Sequence, residues 1–173
     1  MKIEDFPEDI RDALIPEPSG RMLYRCLGCG EEHGIDRLLY TCPGCGSVLL
    51  LENPDFDRIK ETDGRQWRRI LDHRRMLNLQ ALKGVFRYYE FIAPVIPLDR
   101  VVYLGECHTP VVRGNRRLRK EIGRDFYFKN DGLNPSASFK DRGMACALSF
   151  LNHFAREQGV DDILSVCAST GDT

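Results

Sequence analysis

Apolar positions along this chain repeat with two different periods, and each period predicts a different element. Between about residues 65 and 89, Trp67, Ile70, Leu71, Leu77, Leu82, Val85 and Phe86 recur at three- and four-residue spacing. That spacing predicts helix, with Gly84 as a break and Pro94 and Pro97 as its end. A second helix is predicted over 141–157, with Met144, Ala145, Ala147, Leu148, Leu151 and Phe154 on its apolar side and Gly159 as its stop. Shorter apolar or alternating runs predict strands at Leu38–Thr41, Ser47–Leu51, Val101–Leu104, Asp125–Lys129 and Ile163–Val166. Strand, helix and strand over 125–166 form a βαβ unit, so a parallel sheet is the expected context.

The fold class expected is therefore α/β, behind a small N-terminal module. Residues 1–23 carry Pro7, Pro16 and Pro18 and read as a loosely structured lead-in. Residues 24–52 form a compact knuckle module, 53–97 a helical connecting segment, and 98–173 the start of an α/β domain. Residues 113–124 hold six basic side chains against one acid and read as a turn or short exposed helix. Composition narrows the function classes. The chain has 173 residues, 42% hydrophobic and 29% charged, with 25 basic against 26 acidic side chains and a net charge of −1. That balance gives no generic electrostatic case for nucleic acid or an anionic membrane. Arg65, Arg68, Arg69, Arg74 and Arg75 accordingly read as a solvated helix face. Apolar runs such as Val48–Leu51 are far too short to cross a bilayer, and the acidic start shows no secretory signal, so a cytoplasmic location is expected.

Four of the seven cysteines fall in two tight pairs, Cys26-Leu-Gly-Cys29 and Cys42-Pro-Gly-Cys45, twelve residues apart and each followed by a glycine. Tight turns of small residues let two thiolates point at one centre, and two such turns complete a tetrahedron. Zinc in a four-thiolate zinc ribbon is expected, with iron in a rubredoxin-like site as the competitor. Metal binding would supply folding energy that so short a segment cannot draw from a core. Disulfides fit poorly with the missing signal and the three remaining cysteines. His33 reads as a surface loop residue, and Cys146 and Cys167 as buried inert thiols.

The loop from Asn130 to Gly143 combines small polar residues and Pro135 with a lysine, Lys140, at the start of the predicted helix. An ammonium near the positive end of a helix dipole is disfavoured, which suits a Schiff-base lysine. Hydroxyls of Ser136 and Ser138 and exposed amides there suit an anion.

The run Asn134-Pro-Ser-Ala-Ser-Phe-Lys140-Asp-Arg-Gly143 resembles the lysine loop of the threonine synthases, in the tryptophan-synthase-β-like (fold type II) family of pyridoxal-phosphate enzymes. Gly105-Glu-Cys-His-Thr-Pro110 resembles that family's GEGxTP turn, and Ala168-Ser-Thr-Gly-Asp-Thr173 its ASTGNT loop. Phe86–Pro94 resembles the segment that precedes the catalytic fold, and some members carry a zinc-ribbon-like N-terminus. The order of the three motifs is what gives the resemblance its specificity.

The resemblance implies that residues 98–173 begin a pyridoxal-phosphate-binding domain of fold type II. Lys140 would hold the cofactor and then move protons. Ser138, Ser169, Thr170, Gly171 and Thr173 would meet the substrate. Asp172 would face the cofactor's 3′ oxygen, where the family usually has an asparagine. The implied reaction converts O-phospho-L-homoserine and water to L-threonine and phosphate, with no membrane or nucleic-acid partner, and it is compatible with a homo-oligomer. The alternatives are a cysteate synthase-like or threonine dehydratase-like relative, or a zinc-ribbon module binding nucleic acid or a protein partner. The family's later glycine-rich cup for the cofactor phosphate is not in these 173 residues, so the expectation is an N-terminal fragment that is inactive alone.

Overall fold

A computed structural model describes residues 2–164 and Val166. It is a mixed α/β structure whose elements run in the order α1 (Glu8–Leu14), β1 (Leu23–Cys26), β2 (Glu32–Gly34), β3 (Leu49–Glu52), α2 (Gly64–Arg74), α3 (Tyr89–Ile92), β4 (Val111–Arg113), α4 (Arg116–Ile122), β5 (Tyr127–Lys129) and α5 (Lys140–Gln158). No helix among the described residues is long and apolar enough to cross a membrane.

The N-terminal lead-in is not loose. Phe6, Ile10 and Leu14 recur every four residues, so one face of α1 is apolar, and all three are buried. They pack with Ile70 of α2, Leu77, Leu82, Phe86, Tyr89 and Ile96 into a single core cluster. The last carbonyls of α1 have no intrahelical partner. Arg74, fully buried, supplies them: its guanidinium donates to Ala13 O at 2.7 Å and Leu14 O at 3.1 Å. It also donates to Arg87 O at 2.9 Å and pairs with Glu90. A buried charge is tolerated here because its donors are engaged.

The continuous helix expected over 65–89 is instead four pieces. Asp63 caps α2, its carboxylate accepting from Arg65 N at 2.7 Å and Gln66 N at 3.1 Å. After Arg74 the chain turns through two 3₁₀ segments, Gln80–Leu82 and Val85–Tyr88, into α3. Gly84 breaks the run for a steric reason, because a Cβ there would sit 1.8 Å from Glu106 Oε1.

β2, β1 and β3 form one antiparallel sheet in that order, with Tyr24 opposite both His33 and Leu51. The strand expected at Leu38–Thr41 is absent; that stretch is irregular and bent, with Tyr40 84% exposed. Both edges of β1 are already filled by β2 and β3. β4 and β5 form a second antiparallel pair with Val112 opposite Phe128.

The expected parallel sheet does not form among the described residues. Val101–Leu104 is not a strand, because its amides are taken by side chains: Val102 N donates to Ser149 Oγ at 2.9 Å and Leu104 N to Glu106 Oε2 at 2.9 Å. Ile163 and Leu164 are irregular and exposed. Cys167 and the loop from Ala168 to Thr173 lie outside the described residues. The helix expected over 141–157 is present as α5, ended by Gly159 in the left-handed conformation at φ 63°. Its buried line is Asp141, Ala145 and Ser149, four residues apart, whereas Ala147 faces solvent.

Candidate functional site

Two constellations stand out, and the first is the cysteine module. Each knuckle closes on itself by a backbone bond, Gly30 N to Cys26 O at 3.0 Å and Gly46 N to Cys42 O at 2.8 Å. Both glycines take positive φ, 77° and 73°, a conformation a side chain resists. Leu27 N donates to Val48 O at 3.0 Å and joins the second knuckle's strand to the first. The result brings the four sulfurs of Cys26, Cys29, Cys42 and Cys45 within 4.8 Å of one another. Cys26 Sγ lies 3.4 Å from Cys45 Sγ and Cys29 Sγ 3.7 Å from Cys42 Sγ, so these are close thiols and not disulfides.

Their electrostatics is divided. Hydrogen bonds from the Ser47 hydroxyl and amide bring Cys45 down to about 6. The Glu31 amide favours a thiolate at Cys29 too, but the neighbouring sulfurs of Cys26, Cys45 and Cys42, with burial, outweigh it and push Cys29 up to about 12. Four thiolates at this separation cannot coexist without a cation among them, and the donor set suits a tetrahedral metal. His33, expected on the surface, instead packs against this cluster. Its Nε2 lies 3.6 Å from Cys42 Sγ and 3.8 Å from Glu31 Oε2. The signal that could have found it is the alternation of Glu32-His33-Gly34 in β2, which turns His33 toward the knuckles.

The second constellation surrounds Lys140, the first residue of α5 and partly buried. The loop before it is held in one shape. Ser138 Oγ accepts from Lys140 N at 3.2 Å. Asp141 reaches back, its carboxylate accepting from Ser136 N at 2.9 Å and Ser136 Oγ at 2.5 Å. This is a reversed capping interaction that satisfies loop donors at the helix start. Beside Lys140, Phe139, Arg142, Gly143 and Met144 line an open, largely apolar hollow of about 450 Å³.

A clamp missed in the sequence ties this loop to the Gly105–Pro110 turn. Arg142 donates to Asp131 at 2.7 and 3.0 Å and to Thr109 Oγ at 3.0 Å, while Thr109 Oγ donates to Asp131 Oδ1 at 2.7 Å. Arg142 and then the Thr109 hydroxyl hold the Asp131 carboxyl down at about 2. The turn itself is unusual, with Cys107 and His108 at positive φ, 82° and 60°. It is pinned by Cys107 N donating to Asn134 Oδ1 at 3.3 Å, and by Glu106, whose buried carboxylate accepts from Val85 N and Leu104 N. Cys146 of α5, expected as an inert thiol, is half-buried, and burial raises its pKa. Ser169, Thr170, Gly171, Asp172 and Thr173 lie outside the described residues.

Comparison with known proteins bears on the second constellation. Residues 102–173 match the family of pyridoxal-phosphate dependent enzymes. The chain is similar to the threonine synthase of Methanocaldococcus jannaschii, 39% identical over 153 residues, covering 88% of this chain and 33% of that protein. It is 32% identical over 155 residues to the threonine synthase of Methanosarcina acetivorans, covering 86% of this chain and 31% of that protein. A third, from Synechocystis, is 41% identical over 93 residues, covering 53% of this chain and 22% of that protein. The chain thus spans about a third or less of the length of these curated relatives.

Proposed function

We propose that this chain, whose residues 102–173 match the pyridoxal-phosphate dependent enzymes and which resembles threonine synthases over most of its length, provides the cofactor lysine of an enzyme that converts O-phospho-L-homoserine and water to L-threonine and phosphate. The observation that supports this most is the setting of Lys140, at the start of α5 behind a loop fixed by Ser138, Ser136–Asp141 and the Thr109–Asp131–Arg142 clamp.

The residues present fit the cofactor. An amine stands at the edge of an apolar hollow, on a helix start that cannot swing freely. Pyridoxal phosphate, when bound, supplies an electron sink that lets protons leave two successive carbons of the substrate. Lys140 is the residue that would hold it and carry those protons. Ser138 Oγ accepts from the Lys140 amide and keeps its own proton to donate to a substrate anion. The Asp131–Arg142 pair orients the first turn of α5 and keeps Arg142 from reaching toward Lys140. The roles of Ser169, Thr170, Gly171 and Thr173 toward substrate, and of Asp172 toward the cofactor, belong to the same reading and rest on the resemblance.

The four cysteines are read as a structural zinc ribbon, supported by their mutual distances and by thiols that need a divalent cation to ionise together. A cytoplasmic location belongs to this reading, since four-thiolate binding needs reduced thiols. The test is an assay of the protein at its natural length, loaded with pyridoxal phosphate and given O-phospho-L-homoserine. Release of phosphate and threonine in equal amounts is expected, falling to background in Lys140→Ala. A folded, cofactor-loaded protein that releases neither refutes the proposal.

A further inference from the structure

Against the clamp residues Thr109 and Arg142 lies a cavity of about 390 Å³, walled by the 3₁₀ segment at Val85–Tyr88 and the Gly105–Pro110 turn. Four permanent cations line it: Arg75, Arg87, Lys129 and Arg142. Among the carboxylates near it, Asp131 neutralises Arg142, and Glu106 is committed to the amides of Val85 and Leu104. No carboxylate lines the wall itself. Lys129 donates to the carbonyl of Thr109 and shares the field of Asp131 with Arg142, so one carboxylate faces two cations. The Arg75 side chain has neither a hydrogen bond nor an ion pair among the described residues and stands exposed at the rim.

Arg87 is the central group. It donates to the Tyr88 hydroxyl at 2.6 Å, faces His108 Nε2 at 3.3 Å, and its Nε is buried with no partner among the described residues. A guanidinium only donates, so the His108 Nε2 it meets must accept, which leaves the proton on Nδ1. Burial first, then Arg87, Arg75, Lys129 and Lys83, lower the pKa of His108. A neutral imidazole among like charges adds a donor without adding to the repulsion. Like charges gathered around a concavity repel one another, and Asp131 offsets only part of this excess.

We propose that this cavity is an oxyanion site for a phosphate group, either free phosphate or a phosphate monoester, held by Arg75, Arg87 and Lys129 with His108 as a neutral donor. Guanidinium groups suit a tetrahedral oxyanion because they donate in pairs, and a phosphate dianion opposes the excess charge that the fold leaves uncompensated. The occupant would rest against Arg142, two residues from Lys140, so binding there would brace the clamp that fixes the lysine loop.

The site stands independently of the role proposed for Lys140, and its test is binding rather than turnover. Inorganic phosphate is titrated into the full protein by calorimetry at about 0.15 M chloride, a screening that removes diffuse attraction. A saturable single site is expected. Arg75→Gln, at an exposed position with no partner to lose, should weaken it roughly tenfold, as should Arg87→Gln. Lys60→Gln, far from the cavity in sequence and paired with Asp57, should bind within about twofold of the parent, and Lys140→Ala should leave binding intact, which separates this site from the cofactor's. Competition by O-phospho-L-serine would assign the monoester as occupant, and lack of competition free phosphate. The proposal is overturned by an absence of saturable binding in the folded protein, or by parental affinity in both arginine variants.

Discussion

Glu106 shows how one residue ties distant segments together. Its buried carboxylate satisfies the amides of Val85 and Leu104, and this fixes both the chain before α3 and the turn that carries Thr109. Gly84 is glycine because that carboxylate occupies the space a Cβ would need. Gly84→Ala should therefore destabilise the fold by about 2–3 kcal/mol, combining overpacking with displaced hydrogen bonds, read from denaturant melts. Asp131 makes a different prediction. Its folded-state value of about 2 lies below its ordinary 3.8. Its contribution to stability is therefore complete above 3.8 and is lost as pH falls from there toward about 2. Asp131→Asn should be less stable than the parent at neutral pH, and the gap should close across that acid window; a gap that widens as pH falls would contradict the clamp. Neither contact was visible in the sequence, because Asp131 meets Thr109 and Arg142 across 22 and 11 residues and no local pattern encodes such pairs.

At the scale of elements, what the sequence made legible was local. The helix of α5, its stop at Gly159 and the two knuckles are set by contacts within a few residues, and periodicity and turn chemistry report such contacts directly. Elements whose form depends on a distant partner were misread. The Trp67–Phe86 rhythm is that of a helix, yet Gly84 and the buried Arg74 divide it. Val101–Leu104 is apolar like a strand, but its amides go to Ser149 and Glu106. The proline-bearing N-terminus hid α1, although Phe6, Ile10 and Leu14 carry a four-residue rhythm. Because Leu14 is fully buried in the core cluster, Leu14→Ala should cost about 2–5 kcal/mol; a loss below about 1 kcal/mol in chemical denaturation would mean that α1 is not part of the core.

Across the whole molecule, the two constellations are built on separate supports. The cysteine cluster rests on the β2–β1–β3 sheet, whereas the lysine loop rests on α5 and the Gly105–Pro110 turn. Elemental analysis should find one zinc per chain, and a strong chelator should unfold the 24–52 region first, seen as early loss of amide protection there. Cys42→Ser that binds metal and protects those amides like the parent would contradict the metal's structural role. The cofactor assignment was readable in the sequence through three ordered motifs, and the geometry that holds Lys140 became visible only with the fold. Reductive trapping tests it most directly. The protein is incubated with pyridoxal phosphate, treated with borohydride and digested, and the modified peptide is identified by mass spectrometry. A single pyridoxyl adduct on Lys140 is expected; an adduct confined to another lysine, or none at all in the folded protein, would contradict the account.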